Sequence, residues 1–342
     1  RNWCWVIVKD TCHHNLKNHM SWGQMREMAG WQGAPKPAEA PWSPLANPDL
    51  CDVPSNGGRV ILPADEWEEA QAWFASHVEV YVLNLDTDVD RWRTISGKLR
   101  GLGVFAKRVP GVDMRIEGTM ELAKEAGYVP SWYDFERVQA KVDREDPDYG
   151  KVKGTIGCAS AHFKAQEQII KDGPLLAVVF EDDSDPDVDF KARLWKLATQ
   201  ELPCDWEVVS LMSRCPVGTC VSPHLARIAP DVNEPAWKCH SGVNWGMHAV
   251  LYRAATLRSV QQKWKEAVFN MDTPRCLDVD VALASISDQV GFYAVPASQN
   301  PGFLQELNEG SSRYAINVAA PPAPTASPSQ GPFGWPWWPF GR

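Results

Sequence analysis

The sequence lacks an apolar run long enough to cross a membrane. Its uninterrupted ones, such as Leu175–Phe180, reach no more than six residues, whereas a spanning helix needs about 20 apolar residues. It also lacks a basic excess: Lys and Arg number 34 against 43 Asp and Glu, a formal net charge of −9. A protein that tracks a nucleic-acid backbone needs a basic stripe, and a polybasic membrane anchor needs a basic cluster, so the charge balance argues against both. There is no G-x-G-x-x-G and no G-x-x-x-x-G-K-[ST], which weakens the dinucleotide-fingerprint and P-loop readings. The 9 cysteines include no C-x-x-C pair. The nearest approach to a zinc spacing is Cys215-x4-Cys220 followed by Cys239-His240, looser than structural zinc pairs. Buried free thiols are the default expectation, with one or two disulfides as the alternative. Cys12, His13, His14 and His19 read as polar surface, and no internal repeat is evident.

What is present is a chain of 342 residues, 44% apolar and 23% charged, ample for a buried core. It opens on Arg1 with its first methionine at Met20, which reads as a fragment or processed product. Prolines punctuate residues 1–62 and crowd Ala319–Arg342, where Trp335, Trp337 and Trp338 also fall. Proline fixes φ and removes donors, so a Pro-rich extension over 1–62 and a disordered Pro/Trp tail over 306–342 are expected to flank one domain at 63–305.

Within that domain strand and helix signals alternate. Helices are expected over Asp65–Ala75, with Asp65 and Glu68 as a capping box, Val89–Arg100, Met120–Ala126, Trp132–Val142, Ile156–Lys171 capped by Thr155, Phe190–Leu202, Ala254–Val268 and Asp278–Ile286. Strands are expected over Val78–Leu83, Val104–Val109, Leu175–Phe180, Trp206–Leu211, Gly246–Tyr252 and Phe292–Val295. The fold class is therefore α/β, a mostly parallel twisted sheet with helices on both faces. Sites in such folds lie beyond the carboxyl ends of the strands.

Two strand ends carry chemistry. Glu181-Asp182-Asp183 follows the run at Leu175–Phe180 directly, with Asp185, Asp187 and Asp189 beyond. Crowded carboxylates repel unless a cation neutralises them, and hard oxygen donors suit Mg²⁺ or Mn²⁺ together with a diphosphate. An acidic loop capping the next helix is the competing interpretation. The second end is Asn84-Leu85-Asp86 with Asp90-Arg91, polar groups placed to meet a base, ribose or diphosphate near a helix N-terminus. Ordinary capping by Asp88 competes there.

These residues resemble the family 25 glycosyltransferases, which include lipooligosaccharide and collagen galactosyltransferases. Asn84-Leu85-Asp86 with Asp90-Arg91 is similar to that family's "NLD…DR". Gly111-Val112-Asp113 resembles its "AVDG", and GTIGCASAH from Gly154 to His162 resembles "GEIGCALSH". AVVFEDD from Ala177 to Asp183 resembles "LILEDD", Trp245–Arg253 the later strand "G-x-x-A-Y-L-I-S", and Leu277–Leu283 the segment "P-[IV]-D-x-x-L". The segments keep their order between Val78 and Pro301. Met114 in place of a Gly, Ala161 in place of a Ser, and Thr87 in place of an Arg depart from the pattern.

The resemblance implies a GT-A fold and transfer of a hexose, galactose first, from a UDP-sugar donor with inversion. The acceptor would be a glycan, a lipooligosaccharide or a protein hydroxyl, and the cofactor Mn²⁺ or Mg²⁺. Asp183 and Glu181 are the metal candidates, and Asp182 the holder of ribose or a metal-bound water. Asn84, Leu85, Asp86, Arg91, Asp113 and His162 are the donor-side candidates. Inversion needs a base opposite the leaving group, and Asp280 or Asp278 is the candidate. The alternative is a non-catalytic GT-A-like domain that binds a glycan or a protein.

Overall fold

The computed structural model describes residues 45–46, 62–145, 152–213, 216–228, 244, 246–296 and 303–306. The Pro-rich extension, apart from residues 45–46 and 62, and the Pro/Trp tail beyond residue 306 lie outside the described residues, as do Cys4, Cys12, Cys51, Cys215, Cys239 and Trp245. Its strands are β1 (Leu45–Ala46), β2 (Val78–Asn84), β3 (Lys107–Pro110), β4 (Leu176–Glu181), β5 (Ser184–Pro186), β6 (Val208–Ser213), β7 (Gly218–Ser222), β8 (Leu225–Ile228), β9 (Ala249–Arg253), β10 (Phe292–Pro296) and β11 (Leu304–Glu306). The helices are α1 (Ala64–His77), α2 (Val89–Gly101), α3 (Thr119–Glu125), α4 (Phe135–Glu145), α5 (Val152–Asp172), α6 (Phe190–Lys196), α7 (Leu257–Val268) and α8 (Val279–Ser285).

Among the described residues nine strands form one sheet in the order β1-β7-β8-β10-β6-β9-β4-β2-β3, and β5 pairs with β11 in a separate ribbon. Following the pairings across the sheet, β8 and β9 run against the other strands. The α/β class is as expected, and the sheet is mixed: β9 lies antiparallel between β4 and β6.

Strand periodicity explains the two cores. Successive side chains point to opposite faces. Tyr81, Leu83, Ala177, Val179, Val250, Tyr252, Phe292 and Ala294 join one buried cluster with residues of α3, α4, α5, α7 and α8. Val80, Val82, Val178, Phe180, Ala249, Leu251, Tyr293 and Val295 join the other with α1, α2 and α6. Both faces are covered, so β4 reads as an unbroken apolar run rather than an alternating one. Phe190 of α6 anchors the second core, its ring centroid 5.3 Å from that of Phe180 and 6.1 Å from those of Phe74 and Phe303.

Some local expectations are corrected. Helix α1 has Pro63 at its N-cap and no side-chain capping bond, so Asp65 stands inside the first turn and not in a capping box. Helix α5 starts at Val152, which moves Thr155 from the cap into the helix, buried. β3 begins at Lys107, not Val104. The short strands β5, β7, β8 and β11, of three to five residues each, lie outside the expected elements. Cys158 and Cys204 are outside disulfides, whereas Cys220 and Cys276 are disulfide-bonded, against the free-thiol default.

Helix α5 approaches the loop after β3 closely. A Cβ on Gly157 would lie 2.6 Å from the Val112 carbonyl oxygen. In an open helix Gly→Ala stabilises by about 1 kcal/mol. Here Gly157→Ala is expected to destabilise by about 1–3 kcal/mol through overpacking, read as a fall in thermal midpoint. A rise would show that α5 shifts freely against the loop.

Candidate active site

β2, β3 and β4 pair in parallel and end side by side. The loops that leave them and the N-terminal half of α5 enclose an open cleft of about 150 Å³, smaller than the ~300–1,000 Å³ usual for small-molecule sites. Asn84 at the end of β2, Leu85 after it and Arg91 in the first turn of α2 line it, with Gly111 to Arg115 from the loop after β3 and Glu181, Asp182 and Asp183 from the end of β4. Gly154, Gly157, Cys158 and Ala161 line it from α5.

Asn84 ends β2 buried, and its amide is committed within the fold. Nδ2 donates to the Asp88 carbonyl at 2.9 Å and to Asp182 Oδ2 at 2.7 Å, and Oδ1 accepts from Arg108 Nε at 2.8 Å. Asn84 therefore positions Asp182. Arg91 holds the other Asp182 oxygen, Nη1 to Oδ1 at 3.1 Å. Burial nonetheless pushes the Asp182 carboxyl up to about 6; the Asn84 and Arg91 contacts pull it down and the Asp183 charge adds to the rise.

A raised folded-state pKa means that the protonated form is the better folded one. Its stabilisation is complete below the ordinary carboxyl range and is lost as pH rises through about 6. In the metal-free protein, Asp182→Asn is expected to raise stability at pH 7.5, with an upper bound of about 3 kcal/mol from two pKa units, and to be neutral near pH 4. Denaturant midpoints at the two pH values measure this, and an equal effect at both would remove the titration as the cause.

Asp113 lines the cleft but is gripped by its neighbour. Arg115 reaches it through Nε at 2.7 Å and Nη2 at 2.6 Å, and its backbone N–H donates at 3.0 Å. Burial raises the Asp113 pKa, and the Arg115 hydrogen bonds outweigh that to leave it below the usual value. The Arg115 guanidinium thus enters the cleft wall, a cation the sequence reading did not single out.

Glu181 stands between two groups of donors. Its Oε1 meets His162 Nε2 at 3.0 Å and Cys158 Sγ at 3.7 Å. Its Oε2 faces His248 Nδ1 at 3.7 Å, and that nitrogen lies 3.5 Å from Asp183 Oδ1. Donor atoms of Glu181, Asp183 and His248 all fall within 4.8 Å of one another. Those last separations exceed ordinary hydrogen bonds. Two carboxylates and an imidazole fit Mn²⁺ better than Mg²⁺, which prefers oxygen donors and keeps its waters.

His248 also went unnoticed in the sequence. It lies just before β9, and the antiparallel register Phe180↔Ala249 sets it beside Glu181, whose N–H donates to the His248 carbonyl at 2.8 Å. The only advance signal was its position at the start of the Gly246–Tyr252 strand pattern. Ser184 Oγ donates to the same carbonyl at 2.6 Å.

Other expected site residues stand apart. Asp86 is exposed outside the cleft lining and pairs with Arg108 at 2.7 Å. His162 is buried beneath the cleft behind Glu181. Asp280 accepts from the Gly246 N–H at 3.2 Å and the Val281 N–H at 2.9 Å, so it contacts the chain two residues from His248 at the same sheet edge. Asp278 is the N-cap residue of α8. The later acids serve the fold: Asp185 pairs with Lys98, Asp187 Oδ1 accepts from the Val188 N–H at 3.0 Å, and Asp189 pairs with Arg193 at 2.7 Å.

No family model matches the chain. Among solved structures, a mannose-1-phosphate geranyltransferase from Thermus thermophilus is similar at 11% identity and a TM-score of 0.25, over 65% of this chain and 74% of that one. A likeness that faint carries no argument about activity. Among the described residues no helix is long and apolar enough to cross a membrane.

Proposed function

We propose that the protein is a metal-dependent glycosyltransferase that moves a hexose, galactose first, from a UDP-sugar to a hydroxyl acceptor with inversion. The carrying observation is the convergence of His248 on Glu181 and Asp183, two carboxylates that line a cleft also lined by Arg91 and Arg115. The motif resemblance to family 25 glycosyltransferases supports the same reading. Breaking the anomeric bond leaves negative charge on a diphosphate, and a bound Mn²⁺ would supply Lewis-acid stabilisation of it.

The chain's own groups supply the rest. Arg91 and Arg115 bring preorganised positive charge to the cleft wall. Leu85 and the Gly111–Met114 backbone give the nucleoside an apolar and peptide surface. Asn84 holds Asp182 in place beside the cation ligands. Asp280 is the base that takes the acceptor proton, held by the Gly246 N–H two residues before His248. The acceptor is a glycan, a lipooligosaccharide or a protein hydroxyl. The test is UDP binding by calorimetry with and without Mn²⁺, followed by hydrolysis and transfer across a panel of UDP-sugars. No Mn²⁺-linked UDP binding and no turnover on any donor would overturn the reading.

A second reading is a non-catalytic glycan-binding domain. It is favoured by Met114, whose buried side chain lines the cleft where the resembling family has a glycine. A neighbouring cavity walled by Tyr133, Phe135, Glu117 and Glu121 offers aromatic rings and carboxylates of the kind sugar hydroxyls use. Glycan binding without turnover would select it.

A further inference from the structure

We propose that Cys158, His162 and Glu181 form a second cation site, suited to a softer ion such as Zn²⁺, bridged through Glu181 to the Glu181, Asp183 and His248 set. The bridging to a catalytic cation rests on the transferase reading; the soft site itself needs only its own three side chains.

Cys158 and His162 are four residues apart on α5 and so share one helix face. That face packs against the end of β4, where Glu181 leaves the sheet. The thiol and the imidazole converge on one atom, Glu181 Oε1, at 3.7 and 3.0 Å. Donor atoms of the three residues lie within 4.8 Å of one another. The other oxygen of the same carboxylate faces His248. One glutamate thus divides its two oxygens between a sulfur-and-nitrogen set and an oxygen-and-nitrogen set.

The chemistry of the two sets differs. Thiolate, imidazole and carboxylate together favour Zn²⁺. Three protein donors leave a further coordination position, and two of them, Cys158 and Glu181, line the cleft. His162 Nδ1 is buried and has no hydrogen-bond partner among the described residues. Cation binding through Nε2 requires the ring proton on Nδ1. Binding forms the sulfur, nitrogen and oxygen contacts and releases the Cys158 thiol proton to solvent.

Co²⁺ added to the metal-free full-length chain is the probe. A near-ultraviolet thiolate-to-cobalt band is expected in the wild type, lost in Cys158→Ser and in Cys158→Ala, and kept in Asp183→Asn. In chelator competition, Zn²⁺ affinity is expected to fall about tenfold or more in Cys158→Ser while Mn²⁺ affinity, followed by electron paramagnetic resonance, changes by less than about twofold. No cobalt band in the wild type, or the same band in both Cys158 variants, would overturn the proposal. Loss of Mn²⁺ binding in Asp183→Asn with the cobalt band intact keeps the two sites distinguishable, and Mn²⁺ that never binds while the band is present overturns the hard site alone.

Discussion

Asp183→Ala is expected to lower metal-dependent turnover of the UDP-sugar by about three orders of magnitude, the equivalent of the several kcal/mol that Lewis-acid charge stabilisation provides. The same change is expected to leave the fold intact. Asp182 and Asp183 are neighbours in sequence but differ in attachment. Asp182 is held by Asn84 and Arg91. Asp183 faces His248 across 3.5 Å, and its charge adds to the rise of the Asp182 pKa. Removing Asp183 therefore relieves repulsion and breaks no framework hydrogen bond of the Asp182 kind. The measurement is the ratio of UDP affinities with Mn²⁺ and with chelator, alongside kcat and the thermal midpoint. An unchanged Mn²⁺-linked affinity would take Asp183 out of the site. His248→Ala is expected to act in the same direction but less, about 10–100-fold, because one nitrogen donor is lost and both carboxylates stay.

The contrast between these two aspartates shows what sequence could and could not disclose. The acidic triplet was visible because β4 is covered on both faces, so an unbroken apolar run ends abruptly in carboxylates. The α/β class was visible for the same reason, since each covered strand reads as an apolar segment between helical periods. Which carboxylates face the cleft was not visible, because Asp185 is turned away by the short β5–β11 ribbon, whose polar residues and Pro186 carry no strand signal. His248 was hidden more deeply. It is brought to Glu181 by an antiparallel pairing that connects residues far apart in the chain, and only register reveals that. Arg108 and Arg115 act through contacts of opposite kinds. Arg115 grips a residue two positions away, whereas Arg108 crosses from β3 to Asn84 and Asp86. That crossing draws Asp86 outward, although its place in the motif resemblance put it with the donor-side residues.

Asp280→Asn is expected to reduce kcat by about 10²–10⁴-fold, the range for loss of a general base, with little change in the donor KM. Asp278→Asn is expected to leave kcat nearly unchanged. The two residues sit at one helix start but meet different surroundings. Asp278 has extended dihedrals at the N-cap of α8, and its carbonyl accepts from the Ala282 N–H at 2.9 Å. Asn and Asp serve about equally well at that position, so the swap removes charge without disturbing the helix start. Asp280 lies in the first turn and reaches across to the Gly246 N–H, next to the segment that presents His248. A base there is tied to the segment that presents His248, beside the proposed cation donors, and inversion requires it to receive the acceptor proton on the side opposite the leaving group. Asparagine at position 280 keeps one acceptor oxygen, so UDP affinity with Mn²⁺ and the thermal midpoint serve as controls for a local disturbance. Loss of kcat with both controls intact, together with loss of the acidic limb of the pH–rate profile, assigns the base to Asp280. Equal losses in the two variants would instead point to the start of α8 as a structural support for the β9 edge.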